Sequence, residues 1–435
     1  MKIDPAGQRV TVMGLGRFGG GVGVTLWLVH HGARVLVTDL KPQQDLRKSL
    51  AQLSPLIDDG SVRLRLGQHV QTDFTTCDLV VANPAVPVPW NNSFLQAARG
   101  ASVPITTEIR LLVERLNRQR VIGITGTAGK STTAAMILHI LVRAGIDSVF
   151  GGNIGGSLLN HRDEISADDW VVLELSSAML YWLGEDIGFE GAVGWSPHVA
   201  VLTNLHENHL DWHGSFGHYK QCKHNIFKYQ QSGDQALRGD EVDQPRHRIH
   251  LAIPGAHNQQ NAQMAIDAAC AAARLDPAEA AAALGDFAGL PHRLQLVAEH
   301  EGLRFYNDSK STTPKATVLA VDSFDEANRI HLIAGGYDKG SDLSPIPELA
   351  PSLGGLYTIG ATGRGIADAA AHASRCEFCQ TLDAAVDRAM SKMRKGDVLL
   401  LSPGCASWDQ FENYEQRGEA FSRCVRSHIS QTVRQ

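Results

Sequence analysis

No run of about 18 uncharged apolar residues occurs anywhere in the chain, so no transmembrane span is expected. The first residues, MKIDPAGQRVTVMGLG, lack a charged segment followed by an apolar one, so no secretory signal is expected either. Cysteine is sparse. Seven are scattered over 435 residues, an odd number with no framework spacing, which excludes a disulfide-stapled scaffold and favours a reduced, cytoplasmic setting. Cys376 and Cys379 make one CxxC with no second pair to complete a zinc site, so their placement reads as incidental. A large excess of one charge is also missing. The formal net charge is -6 with acidic and basic residues intermixed, which argues against a surface that coats nucleic acid.

What is present is a rhythm of short aliphatic runs ending in Gly, Pro, Asn or Ser, each followed by a helical pattern. That rhythm predicts an α/β protein with mainly parallel sheets. The length accommodates three domains: a Rossmann-like one over 1–119, a P-loop domain over 120–292 and a second Rossmann-like one over 293–435. Strands are expected at Arg9–Met13, Arg34–Thr38, Leu79–Ala82, Val121–Thr125, Trp170–Leu175, Val199–Thr203, Leu303–Asn307, Ile330–Ala334, Leu356–Ile359 and Val398–Ser402. The alanine-rich stretch Ala262–Leu284 reads as helix, and the polar, charge-dense stretch Ser232–Arg248 as a surface loop.

The strongest motif is GITGTAGKSTT, between the apolar run VIGI and the amphipathic run TTAAMILHILVRAG. Gly126 and Gly129 let the backbone turn its N–H groups toward phosphate oxygens, with the amides around Thr127 and the following helix N-terminus facing the anion. Lys130 adds a positive charge, and the hydroxyl of Ser131 or Thr132 is a magnesium ligand by type. The motif specifies a mononucleotide, ATP by preference. Strand Trp170–Leu175 brings Glu174 to its C-terminal end, where a carboxylate reaches a metal in this architecture. The segment NHLDWHG holds His209, Asp211 and His213, with His206 just before it. No cysteine and no HExxH helix accompanies it within the segment, so magnesium held by one imidazole and carboxylates is preferred to zinc. In the helical run after it, Tyr219 and Lys223 are one turn apart, Phe216, Ile226 and Phe227 are expected to be buried, and Lys220 and Lys228 to lie on the surface.

GLGRFG at Gly14–Gly19, with Asp39 twenty residues on, satisfies the dinucleotide fingerprint. Taken alone it suggests an NAD-dependent oxidoreductase or an inactive nucleotide-binding chain. The fingerprint specifies only close approach to a diphosphate, however, and a UDP-sugar meets that requirement as well as NAD does.

In order along nearly the whole chain, the motifs GLGRFG, TGTAGKSTT, GGNIG, ELSS, NHLDWHGS, GAHNQQNAQMA, LPHR, NDSKSTTPKA, GGYDKG and LSPGCASWDQFENYEQRGEAF resemble those of the Mur ligase family of peptidoglycan synthesis. The last motif resembles the D-glutamate-adding branch. The resemblance implies an ATP-dependent ligase acting as a monomer on two small molecules, UDP-N-acetylmuramoyl-L-alanine and D-glutamate, through an acyl phosphate. Another amino-acid ligase of the family is the alternative.

It also implies roles. Lys130 and the loop amides would hold ATP phosphates. Ser131 and Glu174 would ligate one magnesium, and His209 with a carbamate on Lys223 a second. Asn258, Asn261, Arg293 and Asp308 would complete the nucleotide site. Gly16, Arg17, Phe18 and Asp39 would face the uridine diphosphate, with Asn153 and Ser176 near the muramoyl group. Lys310, Thr312, Lys339, Ser407 and Tyr414 would surround D-glutamate. The chain departs from the family pattern at Asn83-Pro84-Ala85, at Trp408 and at Tyr414. It is also short between Phe227 and Gly255, so the central sheet is expected to lack an edge hairpin.

Overall fold

Aliphatic runs of four to six residues with β-branched side chains form strands because both faces can be covered at once. In the computed structural model these runs become the inner strands of three separate sheets. Residues 3–16, 19–154, 156–239, 249–372 and 375–432 are described. The chain divides into two compact units, Met1–Arg248 with Gln260–Leu284, and Ile249–Gln259 with Gly285–Gln435.

The first unit holds two five-stranded sheets. One contains β1 (Arg9–Met13), β2 (Arg34–Asp39), β3 (Val62–Leu66), β4 (Leu79–Ala82) and β5 (Ile105–Thr106), in the order β3-β2-β1-β4-β5. The other contains β6 (Val121–Thr125), β7 (Ser148–Gly152), β8 (Trp170–Glu174), β9 (Val199–Leu202) and β10 (Gln235–Arg238), in the order β10-β9-β6-β8-β7. Every pairing in both sheets is parallel. Parallel strands need crossover connections, and the intervening helices cover both faces. All five residues of β6 and of β8 are accordingly buried. A single hydrophobic core runs from Val10 and Val12 through Leu111 and Leu112 to Val171 and Leu173, so the two sheets share one interior. Buried Arg110 reinforces this junction, donating to the carbonyls of Trp182 (2.9 Å), Gly184 (2.6 Å) and Val193 (3.0 Å).

The second unit has one six-stranded sheet. It contains β11 (Gln295–His300), β12 (Leu303–Asn307), β13 (Ile330–Gly335), β14 (Gly355–Ile359), β15 (Cys376–Gln380) and β16 (Val398–Leu401). Their order is β11-β12-β16-β13-β14-β15, and only β11 runs antiparallel to its neighbour. The period of two sends Val398 and Leu400 into one core with Leu332 and Leu356, and Leu399 and Leu401 into another with Phe305 and Ile333.

Three expectations need correction. Ser232–Arg248 is not wholly loop, because Gln235–Arg238 pairs as edge strand β10, and 240–248 lie outside the described residues. An edge strand with one exposed face needs no apolar run, and QALR has none. The alanine-rich stretch is two helices, Ala256–Ala273 and Pro277–Ala283, interrupted where Arg274 has φ 55° and Asp276 caps the second helix through Ala278 N and Glu279 N. Phe216 is exposed, while Ile226 is buried and Phe227 half-buried.

Candidate active site

The loop between β6 and the helix Lys130–Arg143 is set by two glycines. Gly126 has φ 146°, and a Cβ there would lie 1.9 Å from Thr203 Oγ1. Gly129 has φ 81°, and a Cβ there would lie 2.3 Å from Asn261 Oδ1. Only glycine adopts this path without strain. Asn204 Oδ1 accepts from Ala128 N (2.9 Å), and Thr203 Oγ1 donates to Ala128 O (2.6 Å), so the strand beside the loop holds its shape. The helix then presents its N-terminus at Lys130, whose Nζ folds back on Thr127 O (3.1 Å). Thr132 lies in the first turn, and Asn261 against the glycine corner.

Ser131 Oγ donates to Glu174 Oε2 (2.6 Å), and Asn153 Nδ2 donates to the other oxygen (2.7 Å). Glu174 is buried at the end of β8. A hydroxyl and a carboxylate oxygen this close form a hard donor pair suited to magnesium.

Lys223 comes from the helix Phe216–Lys228, which Ser215 caps through His218 N (3.2 Å). It points inward, not to solvent, and is only 2% exposed. Its Nζ donates to Gly126 O (2.7 Å) and Thr125 Oγ1 (3.2 Å) and sits 4.9 Å from the Tyr219 ring centre. Tyr219 Oη in turn lies 2.9 Å from Thr127 Oγ1. Burial, with nearby Lys130 adding to it, pushes the Lys223 amine down to about 7. Lys220 and Lys228 are exposed, as expected. His209 adopts φ 52° at the start of the short helix Leu210–His213; it is exposed, and partial desolvation of its ring, then the charge of Lys223, hold its imidazole below the usual value.

A cleft of about 660 Å³ lies within the first unit. Gly14, Leu15 and Gly16 of the first glycine loop line it at one side, Asn153, Ser176 and His209 at the other. Gly16 N donates to Asp39 Oδ2 (3.1 Å), so Asp39 braces the loop. Asn83 packs on Gly14, with Nδ2 donating to Gly14 O (3.2 Å). Ser176 caps its own helix through Met179 N (3.2 Å). Arg17 and Phe18 lie outside the described residues. The reading of the motifs did not single out half-buried Glu108. It faces the same cleft, accepts from Ser157 Oγ (2.6 Å) and has its carboxyl pushed up to about 7 by desolvation. TTEIR carries no motif that marks it.

The remaining candidates belong to the second unit. Asn258 Nδ2 donates to Pro254 O (2.6 Å). Asp308 is buried at the end of β12, accepts from Ser402 Oγ (2.8 Å) and Leu294 N (3.2 Å), and is pushed up to about 6 by burial, with Arg293 nearby opposing the rise. Lys310 Nζ stands 5.2 Å from the Tyr414 ring centre, and Lys339 Nζ reaches Thr312 Oγ1 (3.4 Å). Ser407 is buried, whereas Trp408 beside it is 62% exposed and rests against Tyr337 with ring centres 5.5 Å apart.

A further residue escaped the sequence reading. Arg417 is 1% exposed and donates to Ser309 Oγ and O (both 3.0 Å), to Cys405 O (3.2 and 3.1 Å) and to Ala406 O (3.2 Å). It joins the loop after β12 to the loop after β16.

Residues 124–242 match the Mur ligase middle domain, and residues 292–405 the Mur ligase glutamate ligase domain. The UDP-N-acetylmuramoylalanine–D-glutamate ligase of Koribacter versatilis is 33% identical, with 99% of each chain covered. The protein of the same name from Geobacter metallireducens is 34% identical over 97% of this chain and 98% of its own. Among solved structures, the UDP-N-acetylmuramate–alanine ligase of Thermotoga maritima aligns with a TM-score of 0.54 at 19% identity, covering 97% of this chain and all of that one. That likeness is one of fold.

Proposed function

The chain belongs to the Mur ligase family, and from that premise we propose that it couples D-glutamate to UDP-N-acetylmuramoyl-L-alanine at the expense of ATP. The observation that carries the chemistry is the environment of Lys223, an amine buried against the phosphate loop and held near neutrality. An uncharged amine can add CO₂, which converts a cation donor into an anionic oxygen ligand. Unmodified, Lys223 offers no such oxygen, and His209 alone is a poor partner for a hard cation.

Ser131 and Glu174 therefore suit one magnesium, and His209 with carbamylated Lys223 a second. Magnesium bound there would offset charge on the transferring phosphoryl group. Lys130 and the amides from Gly126, Thr127 and Gly129 to Thr132 hold the ATP phosphates. Asn261, against the glycine corner, suits the nucleotide as well; for Asn258, Arg293 and Asp308 a nucleotide role rests on the family likeness alone. Gly16, Arg17, Phe18 and Asp39 hold the uridine diphosphate, and Asn153 and Ser176 the muramoyl group.

The substrate carboxylate attacks the γ-phosphorus and ADP leaves. The D-glutamate amine then attacks the acyl phosphate, and the tetrahedral adduct expels phosphate. D-glutamate brings two carboxylates, which Lys310, Lys339, Thr312, Ser407 and Tyr414 can pair. The acyl phosphate hydrolyses if water reaches it, so water must be kept from the reacting carbonyl; the functional domains are taken as 1–119, 120–292 and 293–435. A cytoplasmic monomer is proposed from the family likeness; among the described residues no helix is long and apolar enough to cross a membrane.

The deciding experiment is phosphate release from ATP by the full chain. Release is expected only with UDP-N-acetylmuramoyl-L-alanine and D-glutamate together. Equal release with L-lysine or meso-diaminopimelate in place of D-glutamate would overturn the substrate assignment.

A further inference from the structure

Away from the phosphate loop, the fold gathers three soft ligands that the sequence spacing had not brought together. His213 ends the short helix Leu210–His213, and His218 and Cys222 stand one turn apart on the helix Phe216–Lys228. Their ligating atoms all lie within 4.8 Å of one another, the one such group among the described residues. The absence of a cysteine from the segment 206–213 had weighed against zinc. Cys222 supplies one from the next helix.

We propose that His213, His218 and Cys222 form a zinc site, separate from the magnesium ligands. The spacing fits. Zinc–nitrogen bonds of about 2.0 Å and a zinc–sulfur bond of about 2.3 Å in tetrahedral array place nitrogens about 3.3 Å apart and nitrogen about 3.6 Å from sulfur. His213 Nδ1 is 3.0 Å from His218 Nδ1, and Cys222 Sγ is 3.9 Å from the same nitrogen. With all three ligating atoms within 4.8 Å of one another, side-chain movement of about 1 Å closes the set.

The surroundings fit as well. His213 is 3% exposed and Cys222 is 2% exposed. The second nitrogen of His213, Nε2, lies 2.9 Å from Ser177 Oγ, the outer hydrogen bond that fixes a ligating imidazole in orientation and tautomer. Trp90 and Trp212 wall the site, with ring centres 4.3 Å from His218 and 4.4 Å from His213. Two imidazoles and a thiol beside aromatic rings, at the edge of the cleft that Trp212 and His213 line, suit a borderline or soft cation better than magnesium. On binding, the S–H bond breaks, its proton passes to solvent, and the Zn–S bond forms. Three protein ligands leave a fourth position for water or another small ligand.

Cobalt(II), which occupies zinc sites and reports its ligands by colour, provides the test. The full chain, in excess magnesium, should bind one equivalent with a thiolate-to-cobalt charge-transfer band and intense tetrahedral d–d absorption, both removed by one equivalent of zinc. Cys222→Ser should abolish the charge-transfer band. Ser177→Ala should weaken zinc by about tenfold or more through the outer hydrogen bond. His218→Ala, at a less buried position, should lose tetrahedral binding without loss of fold, as checked by its thermal midpoint. A band that survives Cys222→Ser, a cobalt spectrum without any thiolate band, or no zinc uptake at micromolar concentration would each overturn the proposal.

Discussion

Lys223 lies in a helix whose sequence, FGHYKQCKHNIFK, offers three lysines of similar local character. Only its position on the buried face, one turn from Tyr219, separates it from Lys220 and Lys228. Lys223→Ala is expected to lower turnover on the order of 10³-fold, the scale of a lost charge-stabilising group. Formate or acetate should restore part of that activity by supplying the missing carboxylate. Turnover unaffected by the substitution, or no rescue, would count against the carbamate. The amine titrates near 7, so below that pH it is protonated and cannot take up CO₂. Activity should fall as pH drops through about 7, and added bicarbonate should raise it on the alkaline side. Stability has its own sign. From about 7 to 10.5 the unfolded chain binds a proton that the folded chain lacks, so stability rises with pH across that window. Lys223→Met should flatten the rise, as measured by denaturant unfolding at stepped pH.

At the scale of elements, the strands legible in the sequence were the inner ones. VIGIT, WVVLE, VAVL and VLLL are covered on both faces and read as unbroken apolar runs. The edge strands were not legible. VRLRL, SVFGG, QALR, QLVAEH and CEFCQ mix polar and apolar residues, because one side of an edge meets solvent or a loop and the charges there discourage pairing with another chain. IT is simply too short to register. The loops after β12 and β16 depend on Arg417, which no motif marks. Arg417→Met should leave the carbonyls of Ser309 and Cys405 without the guanidinium, while Ala406 O keeps Tyr337 N (2.8 Å), and cost about 3 kcal/mol. Because Ser407 follows directly, the KM for D-glutamate should rise, and by more than the KM for ATP, for which Asp308 on the other loop is proposed. Denaturant unfolding and initial rates test the two halves. Equal increases in both KM values would mean that the loss is general.

At the scale of the whole molecule, the N-terminal glycine loop reads equally well as an NAD site or a UDP-sugar site until its neighbours are known. The cleft it lines continues to Asn153, Ser176 and His209, so a ligand held at Gly16 by its diphosphate can extend toward the side chains proposed to hold magnesium. UDP-N-acetylmuramoyl-L-alanine should therefore bind the full chain in calorimetry, UDP should compete with it, and NAD in large excess should not. Displacement by NAD would return the first domain to the oxidoreductase reading.

The sequence by itself determined the α/β class, the inner strands, the phosphate loop and the family, because each rests on local rules: an apolar run, a glycine where the backbone turns left-handed, a lysine at a helix start. It also carried most of the candidate residues in a recognisable order, though not Glu108 or Arg417. Tertiary structure alone decided which of three lysines is buried and near neutral, that Asp39 braces Gly16, that Arg417 ties two loops, and that Cys222 meets His213 and His218. Those facts depend on which face of a helix is covered and by what. Desolvation and proximity arise between segments far apart in the chain, where no local pattern records them.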